Sequence, residues 1–224
     1  MPGAKSKTKT TRSVKSARSA KPSAGRPSKH PSAHETARTI APPPPMISRP
    51  MDSFSYARSL IRDVPDFPKK GILFKDITTL LAVPRAFHVV LDGIAERFIG
   101  EHIDAIVGIE ARGFIFGGAL AARLNASFVP ARKPGKLPAA VDRIQVITEY
   151  STTELEIHKG SFKEEARVVV VDDVLATGGT ARAAGELVRM QGGYVIGYAF
   201  VVEIAALGGR EKLLPVRVES CITY

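Results

Sequence analysis

Apolar positions between residues 52 and 224 alternate between helical and strand spacing. Spacing of three to four residues predicts helices at residues 52–62, 85–99, 113–124, 180–190 and 207–213. Apolar runs predict strands at residues 103–109, 127–132, 168–172, 194–202 and 216–222. Strands that alternate with helices form a parallel sheet with right-handed crossovers and helices on both faces. The pattern therefore predicts an α/β fold whose ligands bind at the carboxyl ends of the strands.

Residues 133–159 interrupt this alternation with two short pieces of period-two pattern, at 145–148 and 155–158. A loop of this length in a compact domain is often an active-site lid. We therefore expect short strands here that form a mobile cover over the site.

Four consecutive valines, at 168–171, directly precede Asp172 and Asp173, so we expect a buried strand that ends at these acids. The loop that follows consists of Ala176, Thr177, Gly178, Gly179 and Thr180. Unpaired N–H groups and partial positive charge at a helix start bind anions, and glycines allow close backbone approach. Two carboxylates beside such a site can accept hydrogen bonds from vicinal hydroxyls, and Mg²⁺ would fit alongside. The segment thus favours a sugar phosphate as ligand.

This segment resembles the motif with which type I phosphoribosyltransferases bind 5-phosphoribosyl 1-pyrophosphate (PRPP). Five segments resemble the adenine phosphoribosyltransferase family in particular, and they follow that family's order: residues 61–68, 71–77, 108–114, 132–138 and 149–150. The resemblance runs from about Phe54 to Tyr224. It implies the type I phosphoribosyltransferase fold, a mostly parallel twisted sheet with helices on both faces plus a small hood and a flexible loop.

The resemblance also implies roles in PRPP binding. Asp172 and Asp173 would hold the ribose hydroxyls, and residues 176–180 would bind the 5′-phosphate. Lys133, in a basic cluster with Arg132 and Lys136, would serve the pyrophosphate group.

Further roles concern the base and the chemistry. Leu73, Phe74, Lys75, Arg112 and Leu175 would bind adenine, with the Phe74 ring as stacking platform. Arg112 and Glu149 would be catalytic, Glu149 as a general acid or base at the purine nitrogen, in the cover beside Tyr150. The family's loop also tends to carry a cis non-proline peptide, here between Glu110 and Ala111.

The implied reaction joins adenine and PRPP to give AMP and pyrophosphate, with Mg²⁺ as cofactor, in a homodimer. No residue is assigned as a direct metal ligand, because PRPP, pyrophosphate and water would hold most of the ion's coordination sites. Two alternatives stay open: a transferase specific for 6-oxopurines, and a PRPP-sensing regulator that binds nucleic acid through a basic arm.

The positive charge of the chain lies in its first 50 residues. They contain eleven of the 32 Lys and Arg residues and one of the 22 acids, Glu35, which leaves 21 of each sign in residues 51–224. The high isoelectric point therefore says nothing about the partner of the phosphoribosyltransferase domain, residues 51–224.

Residues 1–50 are a basic low-complexity segment without aromatic residues, so we expect a disordered tail. The tail could be a translational extension, an organelle transit peptide or a nucleic-acid-binding arm. The single cysteine, Cys221, favours a reducing compartment, and no apolar stretch approaches the length of a membrane span. We therefore expect a cytoplasmic enzyme, with organelle targeting by the tail left open.

Overall fold

The computed structural model describes residues 53–147 and 152–224. Its helices are α1 (Ser53–Ser59), α2 (Thr78–Leu81), α3 (Pro84–Glu96), α4 (Gly113–Leu124) and α5 (Gly179–Met190). Its strands are β1 (Arg62–Pro65), β2 (Leu73–Asp76), β3 (Ala105–Ile109), β4 (Ser127–Ala131), β5 (Val141–Ile147), β6 (Thr152–His158), β7 (Arg167–Leu175), β8 (Tyr194–Glu203) and β9 (Val218–Thr223). Two short 3₁₀ helices, Ala205–Leu207 and Glu211–Leu213, lie between β8 and β9.

Five strands form a parallel sheet in the order β4-β3-β7-β8-β9. The predicted parallel sheet is thereby confirmed, and β7 is its central strand. Two antiparallel hairpins, β1–β2 and β5–β6, complete the described part of the chain. The second hairpin confirms the short strands expected in residues 133–159, although each strand is longer than its pattern indicated.

The valine run in β7 packs against helices on both sides of the sheet. Val168 and Val170 belong to the apolar cluster that contains Leu187 of α5. Val169 belongs to the other cluster, which contains Val90 of α3. Successive side chains of a strand point to opposite faces, so a continuous apolar run is needed here. This confirms the prediction of helices on both faces.

The prediction that β7 ends at Asp172 is wrong, because the strand continues to Leu175. Its last residues pair with β8, Asp172 opposite Phe200 and Val174 opposite Val202. The two acids therefore lie within the paired part of β7 rather than beyond its end. Their backbone is fixed by the sheet, which holds their side chains more rigidly than a loop would.

The amino-terminal region differs from its predicted form. The helix predicted over residues 52–62 ends at Ser59, and the chain then enters β1. The hairpin β1–β2, which carries Phe74, was not predicted, and the helix expected over 207–213 is two separate 3₁₀ turns. In the described part of the chain, no helix is long and apolar enough to cross a membrane.

Candidate active site

The acid pair lies at the carboxyl end of β7, beside the loop that leads to α5. Asp173 is 3% exposed, whereas Asp172 is half-buried and lines a small cavity together with residues 174–181. The Oδ1 atom of Asp172 accepts a hydrogen bond of 2.9 Å from the backbone N–H of Asp173. One carboxylate of the pair thus faces the cavity.

The loop between β7 and α5 has the geometry of an anion-binding turn. Gly178 is the N-cap residue of α5 and has φ 77°, in the left-handed region. A Cβ atom on Gly178 would lie 2.5 Å from the carbonyl oxygen of Gly209, so a larger residue does not fit. Because glycine has no side chain to cap the helix, the first N–H groups of α5 are left for a ligand.

Arg112 connects the acid pair to the hairpin β1–β2. Its Nε atom lies 2.6 Å from Oδ2 of Asp173, and its guanidinium carbon lies 5.1 Å from the centre of the Phe74 ring. Arg112 is the N-cap residue of α4, and Gly113 behind it packs tightly on β7. A Cβ atom on Gly113 would lie 2.7 Å from the carbonyl oxygen of Val171. This close packing sets the distance between Arg112 and the acids.

The hairpin β1–β2 presents an aromatic surface at the same site. The rings of Phe67 and Phe74 meet edge to face, with centroids 5.2 Å apart. Lys75, next to Phe74, turns its side chain away, with Nζ 2.7 Å from Asp63 and 3.8 Å from the centre of the Tyr224 ring. At residue 75, only the backbone is therefore available to a ligand that stacks on Phe74.

A basic loop, residues 132–136, follows β4 at the same edge of the sheet. Glu110, directly after β3, accepts hydrogen bonds from the Arg132 guanidinium at 3.2 and 3.3 Å. It also accepts one of 3.0 Å from the backbone N–H of Lys133. The side chains of Lys133 and Lys136 are exposed. The peptide bond between Glu110 and Ala111 is cis, as expected.

Burial and charge set the ionisation of the carboxyl groups. Burial raises the pKa of Asp172 well above that of an ordinary aspartate, and the charge of Asp173 raises it further. Burial also raises the pKa of Asp173, although Arg112 opposes the shift. Burial likewise acts to raise the pKa of Glu110, but hydrogen bonds from Arg132 and Lys133 outweigh it and leave the pKa lowered.

These contacts confirm that the residues after β3 and β4 and at the end of β7 meet at one edge of the sheet. Leu175 is 1% exposed, so its side chain belongs to the core. Leu175 also lines the small cavity beside Asp172, whose lining does not include Phe74, so the structure does not bring Leu175 to the ring expected to stack on adenine. Glu149 and Tyr150 lie outside the described residues.

Two residues of the site were missed from the sequence. Phe67 is 52% exposed beside Phe74, and a Phe before Pro68 in a turn-rich segment gave no periodic signal. Glu156 is 1% exposed and holds the basic loop. A glutamate in a strand of alternating polarity is normally predicted to face solvent. Only an unusual number of acids in this strand could have indicated that Glu156 is buried.

Comparison with known proteins defines the class first. A family model described as phosphoribosyl transferase domain matches residues 77–223. The parallel sheet and the cleft at its carboxyl edge are those of a phosphoribosyltransferase.

Individual relatives identify the family within this class of transferases. The adenine phosphoribosyltransferase of Sorangium cellulosum (strain So ce56) is 68% identical over 158 residues, which are 70% of this chain and 79% of the relative. The crystal structure of adenine phosphoribosyltransferase from Thermoanaerobacter pseudethanolicus matches with a TM-score of 0.74 and 47% identity, covering 76% of this chain and 99% of that chain. The Saccharomyces cerevisiae enzyme, complexed with an imino-altritol bisphosphate and adenine, matches with a TM-score of 0.72 and 38% identity over 76% of this chain and 98% of that chain. The chain belongs to the adenine phosphoribosyltransferase family.

Proposed function

We propose that this chain is an adenine phosphoribosyltransferase, which converts adenine and PRPP to AMP and pyrophosphate. The observation that carries the proposal is the position of Arg112 between the Phe74 ring and Asp173. Through this one side chain, an aromatic ring that can stack on a base is connected to a carboxylate that can bind a ribose. The Saccharomyces cerevisiae relative, whose solved complex contains adenine, supports this choice of base.

PRPP would bind along the end of β7 and the start of α5. The hydroxyls of its ribose would donate to Asp172 and Asp173, and its 5′-phosphate would accept from the N–H groups of residues 176–180. The hydroxyls of Thr177 and Thr180 would add two donors. The ionic contact of Asp173 Oδ2 with Arg112 would orient this carboxylate and leave its other oxygen, Oδ1, to accept from the ribose.

Adenine would stack on Phe74 under the hairpin β1–β2. The backbone groups of Leu73 and Lys75 would read the edge of the purine. Adenine offers an amino donor next to a ring acceptor, and a 6-oxopurine reverses the donor pattern. The wrong base would leave buried polar groups unpaired, which costs about 1–3 kcal/mol per group.

The chemical step would form a bond from a purine nitrogen to C1 of the ribose while the bond from C1 to the pyrophosphate oxygen breaks, with inversion at C1. Glu149 would accept the proton that the purine nitrogen loses. Arg112 and Lys133, with Arg132 and Lys136, would stabilise the negative charge that develops on the leaving pyrophosphate. Positioning and charge would supply most of the rate enhancement.

Magnesium fits this site as a partner of the substrate more than of the protein. Among the described residues, no group of three or more His, Cys, Asp or Glu side chains could hold a metal ion. The oxygen atoms of Asp172 and Asp173 have the right chemistry for Mg²⁺, but Asp173 is already paired with Arg112. The ion would therefore be held mainly by PRPP or pyrophosphate and water. When bound, it neutralises charge on the phosphate groups.

We also propose a homodimer that works in the cytoplasm. Strand β4, at the edge of the sheet, exposes Phe128 to 37%, and α4 beside it exposes Ile115 to 42%. A second copy of the chain would cover this apolar edge. Light scattering after gel filtration tests the mass, and subcellular fractionation tests the location.

The test of the reaction compares three bases at equal concentration. With PRPP and Mg²⁺, we expect AMP from adenine and turnover from hypoxanthine and guanine at least 100-fold slower, as two mismatched buried groups imply. Faster turnover of hypoxanthine or guanine would assign the chain to the 6-oxopurine transferases. Binding of PRPP without any product would favour a sensor.

A further inference from the structure

Glu156 is a buried carboxylate in the hairpin beside the basic loop. Its neighbours in β6, Leu155 and Ile157, are apolar and 3% and 0% exposed, and Glu156 itself is 1% exposed. Leu155 and Ile157 point to the opposite face of the strand, so Glu156 is buried on the face that meets the basic loop. A buried charge costs free energy unless its oxygen atoms are paired. The contacts of Glu156 therefore indicate the structural role of its charge.

The two carboxylate oxygens of Glu156 bind two different segments. Oε2 accepts a hydrogen bond of 3.1 Å from the backbone N–H of Gly135, in the basic loop. Oε1 lies 2.5 Å from Nη2 of Arg143, its cross-strand neighbour in β5. The backbone of Glu156 also exchanges two hydrogen bonds of 2.8 Å with Arg132. Glu156 thus ties the basic loop to the hairpin β5–β6.

Glu110 holds the other end of the same loop. It binds the N–H of Lys133 and the guanidinium of Arg132, whose Nη1 donates 3.1 Å to the carbonyl oxygen of Lys136. The half-buried carboxylate of Glu110 and the buried carboxylate of Glu156 therefore fix the loop backbone on both sides of Pro134. The cationic side chains on the loop stay exposed while their backbone is held.

We propose that Glu156 is a positioning residue that fixes the basic loop, residues 132–136, for the pyrophosphate group of PRPP. The proposal rests on the proposed function, in which this loop binds pyrophosphate. Glu156 acts through Gly135 and does not touch the substrate. A preformed loop saves the ordering entropy that a flexible loop loses when it binds a ligand.

The charge of Glu156 is needed because both of its side-chain partners are donors. A carboxylate accepts the hydrogen bond from Gly135 and forms an ion pair with Arg143, whereas a glutamine offers one neutral acceptor oxygen and one amide group that is itself a donor. In Glu156→Gln, the single acceptor oxygen cannot serve Gly135 and Arg143 together. Arg143 still contacts Glu154, but the N–H of Gly135 has at best a neutral acceptor in place of a charged one. Loss of one hydrogen bond to a charged acceptor is expected to weaken pyrophosphate binding about tenfold.

The test compares Glu156→Gln with Glu154→Gln. Glu154 lies two residues away in β6, contacts the same Arg143 at 3.3 Å, and makes no contact with the basic loop that the structure records. For Glu156→Gln, we expect the Kd of pyrophosphate, by calorimetry, and the KM of PRPP to rise about tenfold. The KM of adenine should change less than about twofold, and amide hydrogen exchange should quicken in residues 133–136. Glu154→Gln should change none of these quantities by more than about twofold.

Equal increases in the KM of PRPP and of adenine, or unchanged pyrophosphate binding, would overturn the proposal. Both outcomes differ from failure of the proposed function, which would show as no AMP from the unaltered chain. Hydrogen exchange and pyrophosphate binding need no turnover, so they report on Glu156 in either case. If Glu156→Gln does not fold, the double variant Glu156→Leu with Arg143→Leu repeats the test, because replacing both partners of a buried ion pair by apolar residues is often neutral or stabilising.

Discussion

The guanidinium of Arg112 pairs with the buried carboxylate of Asp173 at 2.6 Å while it lies 5.1 Å from the centre of the Phe74 ring. One side chain thereby links the proposed ribose site to the proposed base site. The planar fork of a guanidinium presents its edge N–H groups to a carboxylate and its flat face to an aromatic ring, a geometry that the compact ammonium group of a lysine does not reproduce. The relationship makes Arg112 the most informative single residue of the cleft.

Arg112→Lys should lower kcat/KM by about 100-fold or more, since a preorganised donor at a charged transition state contributes on that scale. Steady-state kinetics with adenine and PRPP measures the effect. Arg189→Gln is the matched control, because Arg189 pairs on the surface of α5 with Glu186. Comparable losses in the two variants would contradict a specific role for Arg112.

The base site leads to a second prediction, for Phe74→Leu. The substitution keeps an apolar side chain but removes the ring, and stacking of a base on an aromatic ring is worth about 1–3 kcal/mol. We expect the KM of adenine to rise about tenfold and the KM of PRPP to change little. Initial-rate measurements with each substrate varied in turn provide the comparison. A parallel rise in both constants would mean that Phe74 supports the hairpin rather than the base.

Stability should depend on pH in opposite ways at two aspartates. The pKa of Asp172 is raised in the folded chain, so the folded state retains a proton that the unfolded chain loses near pH 3.9. Its contribution to stability is fully present below that pH and is lost as pH rises through the folded pKa. Asp172→Asn should therefore gain free energy of unfolding, relative to the unaltered chain, as pH rises above about 4.

Asp76 provides the control of opposite sign. Hydrogen bonds from the side chain and backbone of Thr78, with the Arg62 guanidinium, lower its pKa to about 2. Its stabilising effect is present above the unfolded pKa and is lost as pH falls towards 2. Asp76→Asn should therefore cost stability at pH 7 and cost little near pH 2. Urea unfolding followed by circular dichroism checks both variants, and a common direction of change would refute the assignment.

Much of the fold was predictable because long elements carry many periodic positions. The pattern placed α4 over its observed residues, Gly113–Leu124, and located every strand of the parallel sheet. The hairpin β1–β2 was missed because strands of four residues, one containing Pro65, show no clear alternation. The end of β7 was misplaced because acids usually leave a sheet, whereas pairing of Val174 with Val202 keeps them in it.

The site was predictable to a different extent. Motif order and the rule that ligands bind at carboxyl ends brought Glu110, Arg132 and the acid pair to one edge. The family resemblance placed Arg112 and Phe74 at one base site, but the periodic pattern did not predict the hairpin β1–β2 that sets the distance between them. The burial of Glu156 depends on a long-range contact with the basic loop, which no local pattern encodes.

The last prediction compares glycine-to-alanine substitutions at two positions, where we expect opposite effects on stability. Gly178→Ala would place a methyl group 2.5 Å from the Gly209 carbonyl oxygen at φ 77°, so the loop between β7 and α5 must shift. We expect weaker PRPP binding, by about tenfold or more, and a lower melting temperature.

Gly118, inside α4, provides the control, because no atom lies within 4 Å of a Cβ added there. Gly118→Ala should therefore keep PRPP binding and raise stability by up to about 1 kcal/mol, through helix propensity alone. Calorimetric titration with PRPP and thermal melts of both variants measure these effects. PRPP affinity that stays unchanged in Gly178→Ala would show that the loop does not bind the phosphate.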